Sequence, residues 1–197
     1  MQNTTDYPGH TFMSVDGSAI ACCPKSNGTY PYDSRGIVQH EAGGHGFGKL
    51  ADENIYFNDW IQNSSAYDDF MFGKSLGWYK NLEVTSGFNE VGWSHLIFNP
   101  KYSGTVDVFE GGYYYSRGIY RSEATSCMNN NIPYYSAISR QAIVERIMDY
   151  AGEPFNLDDF IENDVHSAII TTKSAEDMTT LSSQYNARHT SPVIIRN

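Results

Sequence analysis

One stretch restricts what this chain can become more than any other: Gly36-Ile37-Val38-Gln39-His40-Glu41-Ala42-Gly43-Gly44-His45-Gly46-Phe47-Gly48-Lys49-Leu50-Ala51-Asp52-Glu53. Two histidines flank a glutamate and a glycine pair, and two acids, Asp52 and Glu53, follow. Imidazole nitrogens and a carboxylate are ligands that a zinc ion takes, and a catalytic zinc keeps its fourth position for water. Glu41, beside the first histidine, is placed to take a proton from that water.

The spacing is His-Glu-x-x-x-His, one residue longer than the common zinc-helix pattern. In a regular helix each residue turns about 100°, so residues four apart lie about 40° apart around the axis, and residues five apart about 140°. The second separation is too wide for one ion. The extra residue has to be absorbed, and a π-type bulge does this; such bulges concentrate at functional sites. Gly43 and Gly44 lie between the ligands, where backbone distortion is least hindered. Inside a helix each costs about 1 kcal/mol relative to alanine, so a helix with only a structural duty has no use for them. Two alternatives stand beside this reading. One is a surface helix that merely holds these side chains. The other pairs Glu41 with His45, four apart, and leaves His40 and the glycines without a role. Ile37-Val38 predicts burial at the helix start, near Arg35, with Asp33 or Ser34 as the cap. Gly46 and Gly48 are expected to break the helix just after His45, so that the chain reverses and returns a third ligand to the metal.

The 197 residues suit one domain, perhaps of two lobes about a cleft, and 40% hydrophobic content suffices for a core. A net charge of −10 excludes nucleic acid as a partner, since phosphate binding needs clustered lysine and arginine. No apolar run is long enough to span a bilayer. The 15 tyrosines exceed what a core needs, and some are candidates for a cleft lining. Cys22, Cys23 and Cys127 cannot all pair with one another; one bridge from the vicinal pair to Cys127 and three free thiols are both open. Residues 1–17 have neither the basic nor the apolar region of a signal peptide.

Along the chain, residues 18–23 read as a strand stopped by Pro24. Residues 54–65 read as an aromatic loop, 66–80 as a helix interrupted by Gly73 and Gly77, and 87–94 as turns. His95 reads as a packed or exposed histidine rather than a ligand. Residues 106–110 and 113–120 form a predicted hairpin turning at Gly111-Gly112. The strongest amphipathic helix is 133–151, with Ile138, Ile143, Val144, Ile147, Met148 and Tyr150 at helical spacing, Pro133 in its first turn and Gly152 as its stop. A short helix, 157–161, follows with Asn156 as cap. His10, His166 and His189 read as solvated. The catalytic unit is expected over 1–168, with 169–197 a polar extension, a linker or an added strand at Val193-Ile194-Ile195.

The run His40–Glu53 resembles the zinc motif of the IgA-peptidase-type metallopeptidases, a metzincin-like family whose motif reads H-E-x-G-H-x-F-x-x-L-A-D-E; this chain carries one extra residue between the histidines. From His40 to Leu50 it is also similar to dipeptidyl peptidase three, which has H-E-x-x-G-H followed by Gly-x-Gly-Lys-Leu. The segment from Gly111 to Asn131 separates the two. Its run Gly111-Gly112-Tyr113-Tyr114-Tyr115 and the following Ser126-Cys127-Met128-Asn129-Asn130-Asn131 resemble the stretch leading into the methionine turn of the first family. The resemblance implies an α+β metzincin-like fold: an edge strand, then the zinc helix, then a lower lobe with a Met-turn at Met128 and a C-terminal helix. It implies that the strand at 18–23 pairs with an extended substrate, and that one zinc ion is held by His40, His45 and Asp52, with Glu53 the second choice for third ligand. It further implies upstream sequence ahead of Met1 and a secreted, periplasmic or cell-surface location.

The expected activity is zinc-dependent hydrolysis of peptide bonds in protein or glycoprotein substrates, with Glu41 as general base. Tyr134 and Tyr135, just past the Met-turn, are candidate donors to the oxyanion, with core packing as their other use. Two alternatives remain: a catalytically weak, metal-containing adhesion or glycan-binding module, and an exopeptidase of the dipeptidyl-peptidase type. The intact Glu41 counts against the binding module, which has no need of a general base.

Overall fold

Thr11 and Met13 point inward from β1 (His10–Ser14) while its alternate residues are partly exposed, the period-two pattern of a half-buried strand. The computed structural model, which describes residues 8–26, 28–29, 33–165 and 192–196, turns β1 back at Gly17 (φ +89°) into antiparallel β2 (Ala19–Cys22). The chain then enters α1 (Ser34–Val38), where the Asp33 side chain accepts from the Arg35 amide at 2.9 Å and caps the helix. A π-helix, Gln39–Phe47, continues it without a break.

Next come β3 (Ile55–Trp60), α2 (Ala66–Ser75), β4 (Leu82–Glu83), α3 (Ser94–Ile97), β5 (Phe109–Gly112) and β6 (Tyr114–Arg121). A single helical turn, α4 (Cys127–Asn130), leads to α5 (Ala137–Ala151) and α6 (Leu157–Asn163). Near the chain end, β7 (Val193–Ile195) pairs parallel with β1. The result is an α+β fold with two small sheets, one ordered β2-β1-β7 and the other β3-β6-β4 with β5 also paired to β6.

Three apolar clusters hold these elements. Met13, Phe70, Tyr79, Leu82, Tyr113 and Ile119 join the two sheets and α2. Trp93, Leu96, Tyr102, Val106 and Ile138 join α3 to α5. Leu50, Met128 and Ala142, with Tyr135 and Ile143, fill the space behind the π-helix. Among the described residues no helix is long and apolar enough to cross a membrane.

Several expectations shift. Residues 54–65 are not a loop: β3 runs through them, and all six of its residues are exposed, so the strand carries no inward-outward alternation to betray it. The hairpin does not turn at Gly111-Gly112, which lie inside β5; the reversal falls on Tyr113 and Tyr114, with φ of 44° and 72°. Two positive φ values are what a tight two-residue hairpin needs, and glycine or asparagine usually supplies them. Strand β5 starts at Phe109, later than expected. Helix α5 starts at Ala137 rather than near Pro133, and its buried face is Ala137, Ile138, Gln141 and Ala142, while Ile147 and Tyr150 are exposed. Its end at Gly152 (φ +71°) and the Asn156 cap of α6 are as expected. Val193–Ile195 forms an added strand. The boundary near 168, with His166 and His189, lies outside the described residues.

Phe70 is fully buried between Tyr79 and Tyr113. Phe70→Ala removes the ring that bridges them and should lower unfolding free energy by about 3–5 kcal/mol, read from urea denaturation as a drop in the midpoint at constant slope.

Candidate metal centre

The five-residue spacing is resolved by the backbone. In the π-helix the amide of residue i+5 bonds the carbonyl of residue i, as Gly48 N does to Gly43 O at 2.8 Å. The wider turn brings residues five apart onto one face, and His40 and His45 meet edge to face, ring centroids 4.7 Å apart. The glycines serve this differently from expectation. Gly43 and Gly44 do not need positive φ; they need to lack a side chain. A Cβ on Gly44 would collide with Met128 Sδ, and one on Gly43 would lie 2.5 Å from the Tyr135 hydroxyl. Gly46 does not break the helix, which runs through Phe47 and ends with Gly48 as its cap; the reversal is made by Lys49 at φ 54°, after which Leu50 N bonds Gly44 O at 3.0 Å.

That reversal returns Asp52 to the histidines. His40 Nε2 lies 3.0 Å from His45 Nε2 and 3.0 Å from Asp52 Oδ1, and His45 Nε2 lies 3.5 Å from the same oxygen. All three side chains are fully buried. The outer nitrogens fix the tautomers. His40 Nδ1 is 3.0 Å from the Cys127 carbonyl and His45 Nδ1 2.8 Å from the Leu50 carbonyl. A carbonyl only accepts, so both Nδ1 atoms carry the hydrogen and both Nε2 atoms present lone pairs inward. With both imidazoles neutral, two lone pairs and a carboxylate oxygen converge with no donor among them. The group requires a positive charge at its centre.

A metal ion fits that requirement. Ligands at about 2.0–2.2 Å from a tetrahedral zinc sit about 3.3–3.6 Å apart, close to the separations here. Among the described residues this is the group of His, Cys, Asp and Glu able to hold a metal. A proton is the other positive charge available. Burial opposes charging His45, but the Asp52 carboxylate outweighs it and lifts the imidazole to about 9. Burial likewise works against the Asp52 charge, and the histidines hold its carboxyl below the usual range. One proton satisfies only part of the set; a metal satisfies all three lone pairs.

The supports are built from residues that carry no motif. Tyr114 OH donates to Asp52 Oδ2, and the Asp52 carbonyl accepts from Tyr113 N at 2.9 Å. Asn81 brackets Ala51, donating to its carbonyl and accepting from its amide, both at 2.9 Å. Glu53 faces away from the histidines. It accepts from Asn81 at 2.9 Å and Ser126 Oγ at 2.6 Å, and its amide bonds the Met128 carbonyl at 2.9 Å. It is a brace between the ligand loop and α4, and Asp52 is the carboxylate that joins the histidines. The signal for Tyr114 was present in the tyrosine run of the hairpin; Asn81 and Thr11 had none.

Glu41 is fully buried beside the ligands, near enough for its charge to act on His45. Thr11 Oγ1 lies 2.7 Å from Glu41 Oε2, and a Cβ on Gly9 would lie 2.6 Å from Oε1, so the start of β1 closes over this carboxylate. Met128 is fully buried against Gly44, on the turn whose Cys127 carbonyl orients His40. Asn131 ends that turn at φ 51°, a conformation asparagine tolerates. Tyr134 and Tyr135 do not reach the ligands with their hydroxyls: Tyr134 OH donates to Glu123 at 2.6 Å, and Tyr135 OH to the Gln39 carbonyl. His95 bonds Gln141 at 2.7 Å, and His10 packs edge-on against Phe12. All three cysteines are free, with Cys127 buried and its thiol pushed up by burial.

No protein-family model matches this chain, and no curated protein matches it.

Two measurements check the site. One equivalent of divalent metal should bind, be lost in His45→Ala, and bind about 10–100-fold more weakly in Tyr114→Phe, which frees Asp52 Oδ2. Metal-free His45 is protonated below about 9, so binding at pH 7.5 should displace about one proton and binding above pH 10 none. Calorimetry in buffers of differing ionisation enthalpy reads that number directly.

Proposed function

We propose that this chain is a zinc-dependent peptidase domain of the metzincin-like, IgA-peptidase type. The observation that carries the reading is the convergence of three lone pairs from His40, His45 and Asp52 with Glu41 one residue from the first of them. Zinc, when bound, supplies Lewis acidity that acidifies a water and polarises a carbonyl. Glu41 accepts the proton of the attacking water and returns it to the leaving amine. Thr11 orients that carboxylate through its hydroxyl. Met128 supports the helix from below at the position the resemblance assigns to the Met-turn.

The substrate is a polypeptide in extended form. Strand β2 lies at the edge of its sheet and packs beside the π-helix, so its outer edge offers main-chain hydrogen bonds. Strand β3, three residues past Asp52, adds exposed Tyr56, Phe57 and Trp60. Tyr56 stacks on Tyr114 with ring centroids 5.0 Å apart, linking that aromatic surface to the ligand carboxylate. The same family reading places the protein outside the cytoplasm.

One observation favours a second reading, a metal-containing binding module. Glu41 is closed over by Gly9 and Thr11, and a general base has to meet water. Glu41→Gln separates the two. The peptidase reading expects full zinc content with hydrolysis of a denatured protein substrate down by about 10²–10⁴-fold. Equal turnover in wild type and variant, or none in the zinc-loaded wild type, sinks it. A parallel assay with a dipeptide-releasing substrate distinguishes endopeptidase from exopeptidase action.

A further inference from the structure

Behind the metal centre, between the end of the π-helix and α5, lies a cavity of about 200 Å³ bordered by Gly48, Lys49, Trp78, Lys80, Ala142 and Arg146. Lys49 is 2% exposed, and its Nζ has no hydrogen-bond partner. The Nε of Arg146 is likewise buried without one. The two cations are close enough for the Arg146 charge to act against that of Lys49. In a chain of net charge −10, a buried ammonium with no acceptor beside a half-buried guanidinium is the reverse of what composition favours, and an isolated buried ammonium is costly.

Local partners do not remove the cost. Lys49 Nζ sits 5.0 Å from the Trp78 ring centroid, and the Arg146 guanidinium lies beside the stacked Phe47 and Tyr150 rings, 5.7 and 5.6 Å from their centroids. Arg146 Nη2 also donates to the Tyr150 hydroxyl at 3.4 Å, but aromatic faces accept no conventional hydrogen bond, so Lys49 Nζ and Arg146 Nε stay unpaired. Of the acids near the cavity, Glu145 is committed to Lys80 and to Gln141 Nε2. Asp149 borders the cavity and Asp16 acts on Lys49 only through its charge; neither bonds Nζ. Burial, with Arg146, lowers Lys49 to about 8, which leaves it charged at neutral pH.

We propose that this cavity is a binding site for a small oxyanion, a phosphate, sulfate or carboxylate group, held by Lys49 Nζ and the Arg146 guanidinium. Three donors on an ammonium and the fork of a guanidinium suit such a group. The site also touches the metal centre through the backbone. The Lys49 carbonyl accepts from Tyr79 N at 2.8 Å, and the next carbonyl, that of Leu50, orients His45. The proposal stands whether or not the metal centre is a peptidase.

The test titrates the full-length, metal-loaded protein with sodium sulfate and, separately, with sodium acetate, at ionic strength held constant with sodium chloride. Melting temperature and calorimetry are the readouts, applied to wild type, Lys49→Met, Arg146→Met and Lys80→Gln. The expected result is saturable stabilisation of wild type and Lys80→Gln by at least one of the two anions, weakened about tenfold or more in Lys49→Met and Arg146→Met. Response to sulfate points to phosphate-like groups, and response to acetate alone to carboxylates. Lys49→Met should melt at or above wild type without anion, because a buried unpartnered charge has been removed. The proposal is overturned if neither anion gives a saturable shift, or if the shift persists unchanged in Lys49→Met or in Arg146→Met. A lower melting temperature in Lys49→Met with no anion response in wild type would instead make Lys49 a structural cation on Trp78.

Discussion

Two imidazole nitrogens and a carboxylate oxygen, buried within hydrogen-bond distance of one another, form the constraint on which the rest depends. With neither a proton nor a metal between them their lone pairs repel. They are held together because each ligand is tied by its far side to a different element: His40 to the Cys127 carbonyl of α4, His45 to the Leu50 carbonyl, Asp52 to Tyr114 at the hairpin. The Glu53 amide then ties the ligand loop to α4 through the Met128 carbonyl. The polar framework therefore runs around the site, and the apolar clusters pack outside it. A proton or a metal ion at the centre would change mutual repulsion into attraction, and a bound metal would then stabilise the fold.

Much of this was legible from one spacing. Five residues between histidines cannot be reconciled with a regular helix, and the angular mismatch alone demands the wider turn that Gln39–Phe47 adopts. The choice of Asp52 over Glu53 was not a matter of spacing. It rested on resemblance, and the physical reason appears only in three dimensions, where Asn81 and Ser126 already claim Glu53. Those partners lie 28 and 73 residues away, and no local pattern marks them. Strand β3 was invisible for a different cause. Periodicity reports burial, and a strand exposed along its whole length has no period to report.

The glycines show how a correct inference can rest on an incomplete reason. The sequence marks them as points where the backbone is free to distort. Their φ values are not in the left-handed region; what they provide is closeness, allowing Met128 and Tyr135 to lie directly against the helix. Conversely, three of the left-handed positions fall on Lys49, Tyr113 and Tyr114, residues that seldom adopt it. All three adjoin the candidate ligands or their supports. Such backbone persists only where surrounding contacts enforce it, and here the contacts are those of the ligand loop and the hairpin that holds Asp52.

The interior also carries an unusual load of acid. Glu41, Asp52, Glu53 and Glu123 are all buried. Burial pushes Glu53 upward, and Glu123, which accepts from Tyr134 and the Ala137 amide, rises to about 7. These two are met largely by neutral donors, so their charge is not cancelled where it sits. Asp52 alone faces imidazoles. A divalent ion between His40, His45 and Asp52 would meet the Asp52 carboxylate directly and lie near Glu41, whose neighbour in sequence is His40. The electrostatics of the fold and the chemistry of the site thus ask for the same ion, a stronger argument for a metal than the ligand triad offers alone.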